Sequence, residues 1–275
     1  MYFEKRASEL VKTRTSCRTF SERPLEAALQ SRIEKLLKEA SNPSFRFKLV
    51  ERPTGPDGEK IGAYGAVKNA KLFIASIVRD DADLVEFGAV LETIVLAVTD
   101  LGLGSIWLGG IFDKKGFVRT LAPGSGEFIP IVIPVGYMEK PRIADKLMRA
   151  VVRADNRKEW KELFFNGDFL TPLDKMKEPV YRMPLEMVRL APSASNKQPW
   201  RVIRDDEGFH FYLSPTQGYA TRLGYDIQMV DIGIAISHFV IGCREAGLKG
   251  SLVDKNPGYN TGLFYVRSFL PTKPF

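Results

Sequence analysis

Ala191-Pro192-Ser193-Ala194-Ser195-Asn196-Lys197-Gln198-Pro199-Trp200 gathers two hydroxyls and two side-chain amides into one short stretch beside a tryptophan. Such groups can hydrogen-bond the rim of a flat heteroaromatic ring, and small residues let the backbone approach its face. The same residues also bond readily to their own backbone, so a plain helix-to-strand turn is the other reading. A second stretch, Arg14-Thr15-Ser16-Cys17-Arg18, sets Arg14, Ser16 and Arg18 at alternate positions. In an extended chain those three side chains share one side. Two guanidiniums flanking a hydroxyl suit a phosphate or the electron-rich pyrimidine edge of a flavin. The alternative is a helix C-terminus whose arginines complement its dipole. A third stretch, Gly104-Ser105-Ile106-Trp107-Leu108-Gly109-Gly110, reads as a strand opening into a glycine pair, where a ligand can come close to the backbone. A fourth places two cations, Lys140 and Arg142, just beyond a strand end.

These stretches need elements to hold them. Met183 to Leu190 has helical apolar spacing. It should end at Pro192, because the residue before a proline is pushed out of the α region. Arg201 to Ile203 then reads as a strand. Phe3 to Thr13 reads as a helix leading into the arginine stretch, and Leu25 to Ala40 as a second helix. Phe47 to Val50 and Lys71 to Val78 are expected strands, the latter buried on both faces, with Arg52 to Gly62 a loop between them. Phe128 to Val135, Phe209 to Leu213 and Leu263 to Val266 are further strands, and Asp155 to Asp168 a linking helix and turn. Asp83 to Leu101 and Asp226 to Ala246 are apolar nearly all round, which suits a core or an intimate interface.

Composition narrows the function classes. Hydrophobic residues make up 44% and charged residues 27%, so the chain is globular and not disordered, and its helices and strands lead to the expectation of an α+β fold. No apolar run approaches the roughly 20 residues that span a bilayer, and Met1 to Arg6 lacks the apolar core of a signal peptide. Cytoplasm is the expected compartment. Cys17 and Cys243 offer no disulfide framework, and two histidines make a histidine-rich metal site a poor expectation. The net charge is +7, but the cations are scattered among 33 acids, which disfavours nucleic acid and favours a basic cleft for a phosphorylated cofactor.

A repeat runs through this order. A helix, Leu101-Gly102-Leu103-Gly104-Ser105 and a strand recur as a helix, Ala246-Gly247-Leu248-Lys249-Gly250-Ser251 and a strand. The helix ending Lys38-Glu39-Ala40, with Ser41-Asn42-Pro43-Ser44 and Lys48 to Val50, corresponds to the helix ending at Ala191, the Ser/Asn loop and Arg201 to Ile203. The offsets are about 145 to 153 positions. The chain therefore reads as two related halves, residues 1–150 and 151–275.

The combination resembles the flavin-dependent nitroreductase family. Those proteins are typically homodimers with FMN at the interface, an Arg-x-Ser-x-Arg segment of one subunit meeting an Ala-Pro-Ser-x-x-Asn-x-Gln-Pro-Trp loop of the other. Here both motifs stand in opposite halves of one chain, as in a nitroreductase branch in which one chain imitates the dimer. The resemblance implies a nitroreductase-like fold, internally duplicated, with one competent site. By resemblance, Arg14, Ser16 and Arg18 would contact the phosphate and pyrimidine edge of FMN. Pro192, Ser193, Ala194, Asn196 and Gln198 would belong to the flavin-ring loop. Trp107, Gly109 and Gly110 fall in the segment of backbone contact near flavin N5. Arg142 with Lys140 would form a second phosphate anchor. The mirror-image site should be dead, because Arg153-Ala154-Asp155-Asn156-Arg157 is the nearest remnant of a second arginine motif.

The implied activity is an NAD(P)H-dependent flavin oxidoreductase that passes hydride through FMN to an electron-poor small molecule such as a nitroaromatic or quinone. The protein needs no side-chain nucleophile, and no Ser-His-Asp or paired-carboxylate arrangement is read from the sequence. The alternatives are a flavin protein of the same fold serving flavin fragmentation, dehalogenation or sensing, and a basic nucleic-acid-binding domain. A monomer would suffice for one site, with further oligomerisation left open.

Overall fold

The computed structural model describes residues 3–51, 67–110, 112–143, 145, 147, 150, 156–219, 223–259 and 262–272. The expected loop at 52–62 and the stretch 153–155 lie outside the described residues. The helices are α1 (Ala7–Thr13), α2 (Ala27–Ala40), α3 (Leu84–Asp100), α4 (Lys114–Leu121), α5 (Trp160–Leu163), α6 (Arg182–Leu190) and α7 (Ile227–Glu245). The strands are β1 (Phe45–Glu51), β2 (Leu72–Arg79), β3 (Gly104–Ser105), β4 (Glu127–Phe128), β5 (Val132–Gly136), β6 (Phe164–Asn166), β7 (Trp200–Arg204), β8 (Phe209–Leu213), β9 (Gly250–Val253) and β10 (Phe264–Pro271). The chain divides into two compact units. One holds Met1–Glu4, Thr13–Asp83 and Thr93–Val151; the other holds Lys5–Lys12, Leu84–Glu92 and Val152–Phe275.

In the first unit the sheet order is β1-β2-β5-β3, all antiparallel, with β4 also paired to β2. β2 is buried along nearly its whole length, as a strand covered on both faces is. Phe73, Ala75 and Ile77, at period two, join Phe20, Ile106, Phe117 and Val132 in one apolar cluster. Phe117 comes from α4, a helix missing from the sequence expectations. Its N-cap Asp113 accepts a hydrogen bond from Lys115 N–H at 3.1 Å. Two other expectations change. Phe128 to Val135 is two strands, β4 and β5, separated around Pro130, which has no N–H for a ladder. The strand at Gly104 stops at Ser105, and beyond it Leu108 makes a single bridge to Val132.

In the second unit the order is β6-β7-β8-β10-β9, with β6 parallel to β7 and the rest antiparallel. The expected linking helix is the single turn α5, and the aromatic run after it becomes β6. All five residues of β8 are buried, and Phe239 of α7 meets Phe209, Phe211 and Phe269 at 4.9, 5.6 and 5.2 Å between ring centres. With β4 and β6 set aside, the two sheets are built alike. Each is a hairpin, then a helix, then an edge strand, then a strand inserted between edge and hairpin.

Residues 84–92 of α3 lie in the second unit and meet α7 there. A Cβ at Gly88 would lie 2.4 Å from Val230 O, and a Cβ at Gly233 would lie 2.1 Å from Val85 O. The contact is reciprocal: each glycine receives the valine three residues before the other. Glu92 Oε1 lies 2.9 Å from His238 Nε2, with both side chains buried, and His238 Nδ1 lies 2.8 Å from Met187 O of α6. A carbonyl only accepts, so Nδ1 carries a proton and donates it there. Among the described residues, only α7 is long and apolar enough to cross a membrane, and 72% of it is buried within the protein, as in a core helix.

Candidate functional site

The chain leaves α1 at Thr13 in extended form. Ser16 bridges Ser105 of β3, and Cys17 N–H donates to Ser105 O at 2.9 Å. Lys68 N–H donates to Arg18 O at 2.8 Å, and Phe20 N–H to Lys68 O at 3.0 Å. The segment is thus extended, with its backbone fixed by single bridges to its neighbours. Cys17 and Thr19 turn inward, 8% and 6% exposed, while Arg14, Ser16 and Arg18 are only half-buried. The alternation expected from the sequence holds from Ser16 to Thr19, whereas Thr15 is exposed. Gly104 permits the close approach, since a Cβ there would lie 2.4 Å from Met138 Cγ and 3.0 Å from Cys17 Sγ. The Cys17 thiol donates to Thr19 O at 3.2 Å, and burial pushes its pKa up to about 11, so it is no nucleophile at neutral pH. Trp107 and Gly109 are half-buried and Gly110 is exposed in the bend after β3.

Arg142 is engaged differently. Its Nη2 donates to Asp145 Oδ1 at 2.8 Å and its Nε to Thr19 Oγ1 at 3.1 Å. Its backbone N–H and the Thr19 hydroxyl both donate to Asp145 Oδ2. Burial opposes ionisation of Asp145, but the bonds from Arg142 and Thr19 outweigh it and hold the carboxyl below its usual range. The Arg142 charge is therefore balanced by a buried carboxylate. Its partner Thr19 lies on the inward side of the segment, opposite Arg14, Ser16 and Arg18. Lys140 is exposed.

In the second unit α6 ends at Leu190 with Ala191 as its C-cap, and the chain turns through Pro192 to Gln198 into β7. Ser195, Asn196 and Gln198 have φ of 47°, 55° and 49°. Three non-glycine residues in the left-handed region within four positions mark a strained loop held by its surroundings. Gln198 N–H donates to Ser193 Oγ at 2.8 Å. Arg157 Nη1 donates to Asn196 Oδ1 at 3.2 Å, and Asn196 Nδ2 donates to Asn156 O at 2.8 Å. Lys158 N–H donates to Gln198 Oε1 at 2.8 Å. Ala194 N–H donates to Asp231 Oδ1 of α7 at 2.9 Å. Gln198 is 4% exposed, so its amide shapes the loop. Pro192, Ser193, Ala194 and Asn196 remain half-buried at its surface. The sequence did not point to Arg157 or Asp231 as supports, because their partners are distant in the chain.

The structure also contains a constellation absent from the sequence reading. His210 Nδ1 lies 2.7 Å from Ser268 Oγ, and His210 Nε2 lies 2.9 Å from Asp205 Oδ1. Ser268 and His210 are fully buried. Ser268 also donates to Lys255 O at 2.9 Å and meets Tyr265 OH at 2.9 Å. A nucleophile needs room for a substrate beside it, and this serine has none. The line of residues ties the β9–β10 connection to the sheet.

Two arginines and a hydroxyl fixed on one strand side fit a phosphorylated aromatic cofactor such as FMN, and so does a preshaped loop of small polar residues. A family model described as "Putative TM nitroreductase" matches residues 7–243. A crystal structure described as a putative nitroreductase from Thermotoga maritima is 20% identical, covers 98% of this chain and 95% of its own, and has a TM-score of 0.60. A nitroreductase with bound FMN from Desulfitobacterium hafniense is 16% identical, over 50% of this chain and 92% of its own, with a TM-score of 0.40. No curated protein matches the sequence. By the extent of the family match, the chain belongs to this nitroreductase family.

Proposed function

We propose that the chain is an FMN-dependent oxidoreductase of nitroreductase type, using NAD(P)H and passing electrons to an electron-poor small molecule such as a nitroaromatic or quinone. The observation that carries the reading is that Arg14, Ser16 and Arg18 stand half-buried at alternate positions of an extended segment bridged to Ser105 and Lys68. FMN, when bound, supplies the hydride chemistry. Arg14 and Ser16 would hold the phosphate end. Arg18 at the pyrimidine edge would stabilise negative charge there. Pro192, Ser193, Ala194 and Asn196 would line the ring, with Gln198 keeping their loop in shape. Trp107, Gly109 and Gly110 would offer the ring a close backbone approach. Lys140 is the freer cation of the second anchor, because Asp145 already balances Arg142.

The internal duplication belongs to the same proposal, with halves at residues 1–150 and 151–275 and one FMN per chain. The shared strand order of the two sheets supports it. So does the reciprocal contact of Gly88 and Gly233, the pattern of a two-fold interface in which residue i meets j and j meets i. Cytoplasm is the compartment this reading expects.

The test is the visible spectrum of the purified protein, then stopped-flow reduction by NADH and by NADPH. A yellow protein with one FMN per chain that is bleached by either nucleotide supports the proposal. A protein that takes up no FMN when it is supplied sinks the cofactor assignment. FMN that neither nucleotide reduces moves the function to another flavin role.

A further inference from the structure

Asp231, in the first turns of α7, is 3% exposed. Oδ1 accepts the Ala194 N–H at 2.9 Å, and Oδ2 is buried without a hydrogen-bond partner among the described residues. An ionised carboxylate held by one neutral donor in such a place is strongly disfavoured, and the neutral acid, even with its O–H unpartnered, costs far less. Burial pushes this carboxyl well above its ordinary range; the Ala194 bond opposes the push and the charge of Asp226 adds to it. Among the described residues, Asp226 is the charged group that acts on Asp231, Tyr225 is a titratable neighbour on which Asp231 acts in turn, and the loop meets it with a backbone N–H.

Ala194 directly precedes the left-handed residues Ser195, Asn196 and Gln198. Such a backbone persists only where neighbours over-determine it. The bond to Asp231 ties this loop to α7 and joins the bonds from Arg157, Asn156 and Lys158 in holding its shape.

We propose that Asp231 is a positioning residue of the flavin loop that works as the neutral acid: Oδ1 holds Ala194, the proton rests on Oδ2, and ionisation releases the loop. The inference rests on the flavin reading above. A carboxyl raised in the folded state stabilises the fold fully only below its unfolded pKa, and that contribution is lost as pH rises through the folded value. Wild-type stability should fall as pH rises above the ordinary carboxylate range toward the raised folded value, FMN affinity should fall as the folded carboxyl ionises, and Asp231→Asn should remove both declines.

FMN is titrated by fluorescence into wild type, Asp231→Asn and Asp231→Val at about pH 6.5 and about pH 9.5, and Tm of the flavin-free proteins is measured alongside. Asp231→Asn keeps the acceptor and cannot ionise. It is expected to bind within about twofold of wild type at the lower pH and to hold that affinity at the higher, where wild type weakens at least about fivefold. Its Tm should exceed that of wild type by a margin that widens with pH. Asp231→Val should bind weakly at both; if it does not fold, the Asn profile alone decides. Parallel pH profiles in wild type and Asp231→Asn overturn the proposal, as does wild-type affinity in Asp231→Val. Wild type that binds no FMN at either pH sinks the flavin reading instead. The flavin-free Tm comparison then still decides whether Asp231 titrates with the fold.

Discussion

Gly88 and Gly233 each stand where a methyl group would strike the backbone of the other helix, Gly88 against Val230 O and Gly233 against Val85 O. Exchanging a mid-helix glycine for alanine ordinarily favours the helix by about 1 kcal/mol. Here a rigid carbonyl occupies the space, so the sign reverses. Gly88→Ala and Gly233→Ala should each destabilise by about 2 kcal/mol or more in a denaturant melt. A stabilised variant at either position would mean that the helices do not approach this closely.

Arg18→Ala should weaken FMN binding by about ten- to a hundredfold, the worth of a hydrogen bond to a charged group, and should slow flavin reduction with it. A solvated arginine after a helix would cost under about 0.5 kcal/mol. An unchanged titration curve together with an unchanged reduction rate would return Arg18 to that role.

Asn196 is fixed at both ends of its amide, Oδ1 by Arg157 and Nδ2 by Asn156 O. Asn196→Ala and Arg157→Ala should therefore both lower FMN affinity several-fold, because each loosens the same strained loop, and the double variant should lose less than the sum. Additive losses in this cycle would show that the two residues act separately.

Asp145 gives a prediction on the acid side. Its carboxyl is held below the usual range by Arg142 and Thr19 against the cost of burial. A lowered pKa contributes stability above the unfolded value and loses it as pH falls through the folded one. Asp145→Asn should cost about 1–3 kcal/mol at neutral pH, discounted because Arg142 is partly exposed, with the gap to wild type closing toward strongly acid pH. Melts across the acid range that keep a constant gap would show that the charge of Asp145 is not what holds the pair.

What could be read from the sequence followed local periodicity. The two long apolar helices and β2 appear where the apolar pattern places them, and the segment from Ser16 to Thr19 alternates as an extended chain does. Errors gathered where single residues override pattern. Pro130 breaks an apolar run into β4 and β5, and Asp113 starts a short helix whose only marks are its cap and the spacing of Phe117 and Leu121. Networks were illegible for another reason. His210 and Ser268 are 58 positions apart, and Glu92 and His238 are 146 apart. Only the register of strands and the crossing of helices brings them within reach. The supports of the Ser/Asn loop were hidden likewise: the amides of Asn196 and Gln198 meet Arg157, Asn156 and Lys158, about 40 positions away in the chain.

The reciprocal glycine crossing has a genetic consequence. In a symmetric pair of identical chains one nucleotide change alters both sides of the contact at once, so a harmful substitution strikes twice and an adaptive one must suit both places. Here the two sides are separate codons in one reading frame. Each can drift while the other holds the fit, and lineages carrying this arrangement are free to become asymmetric at a cost that a mirrored pair would double.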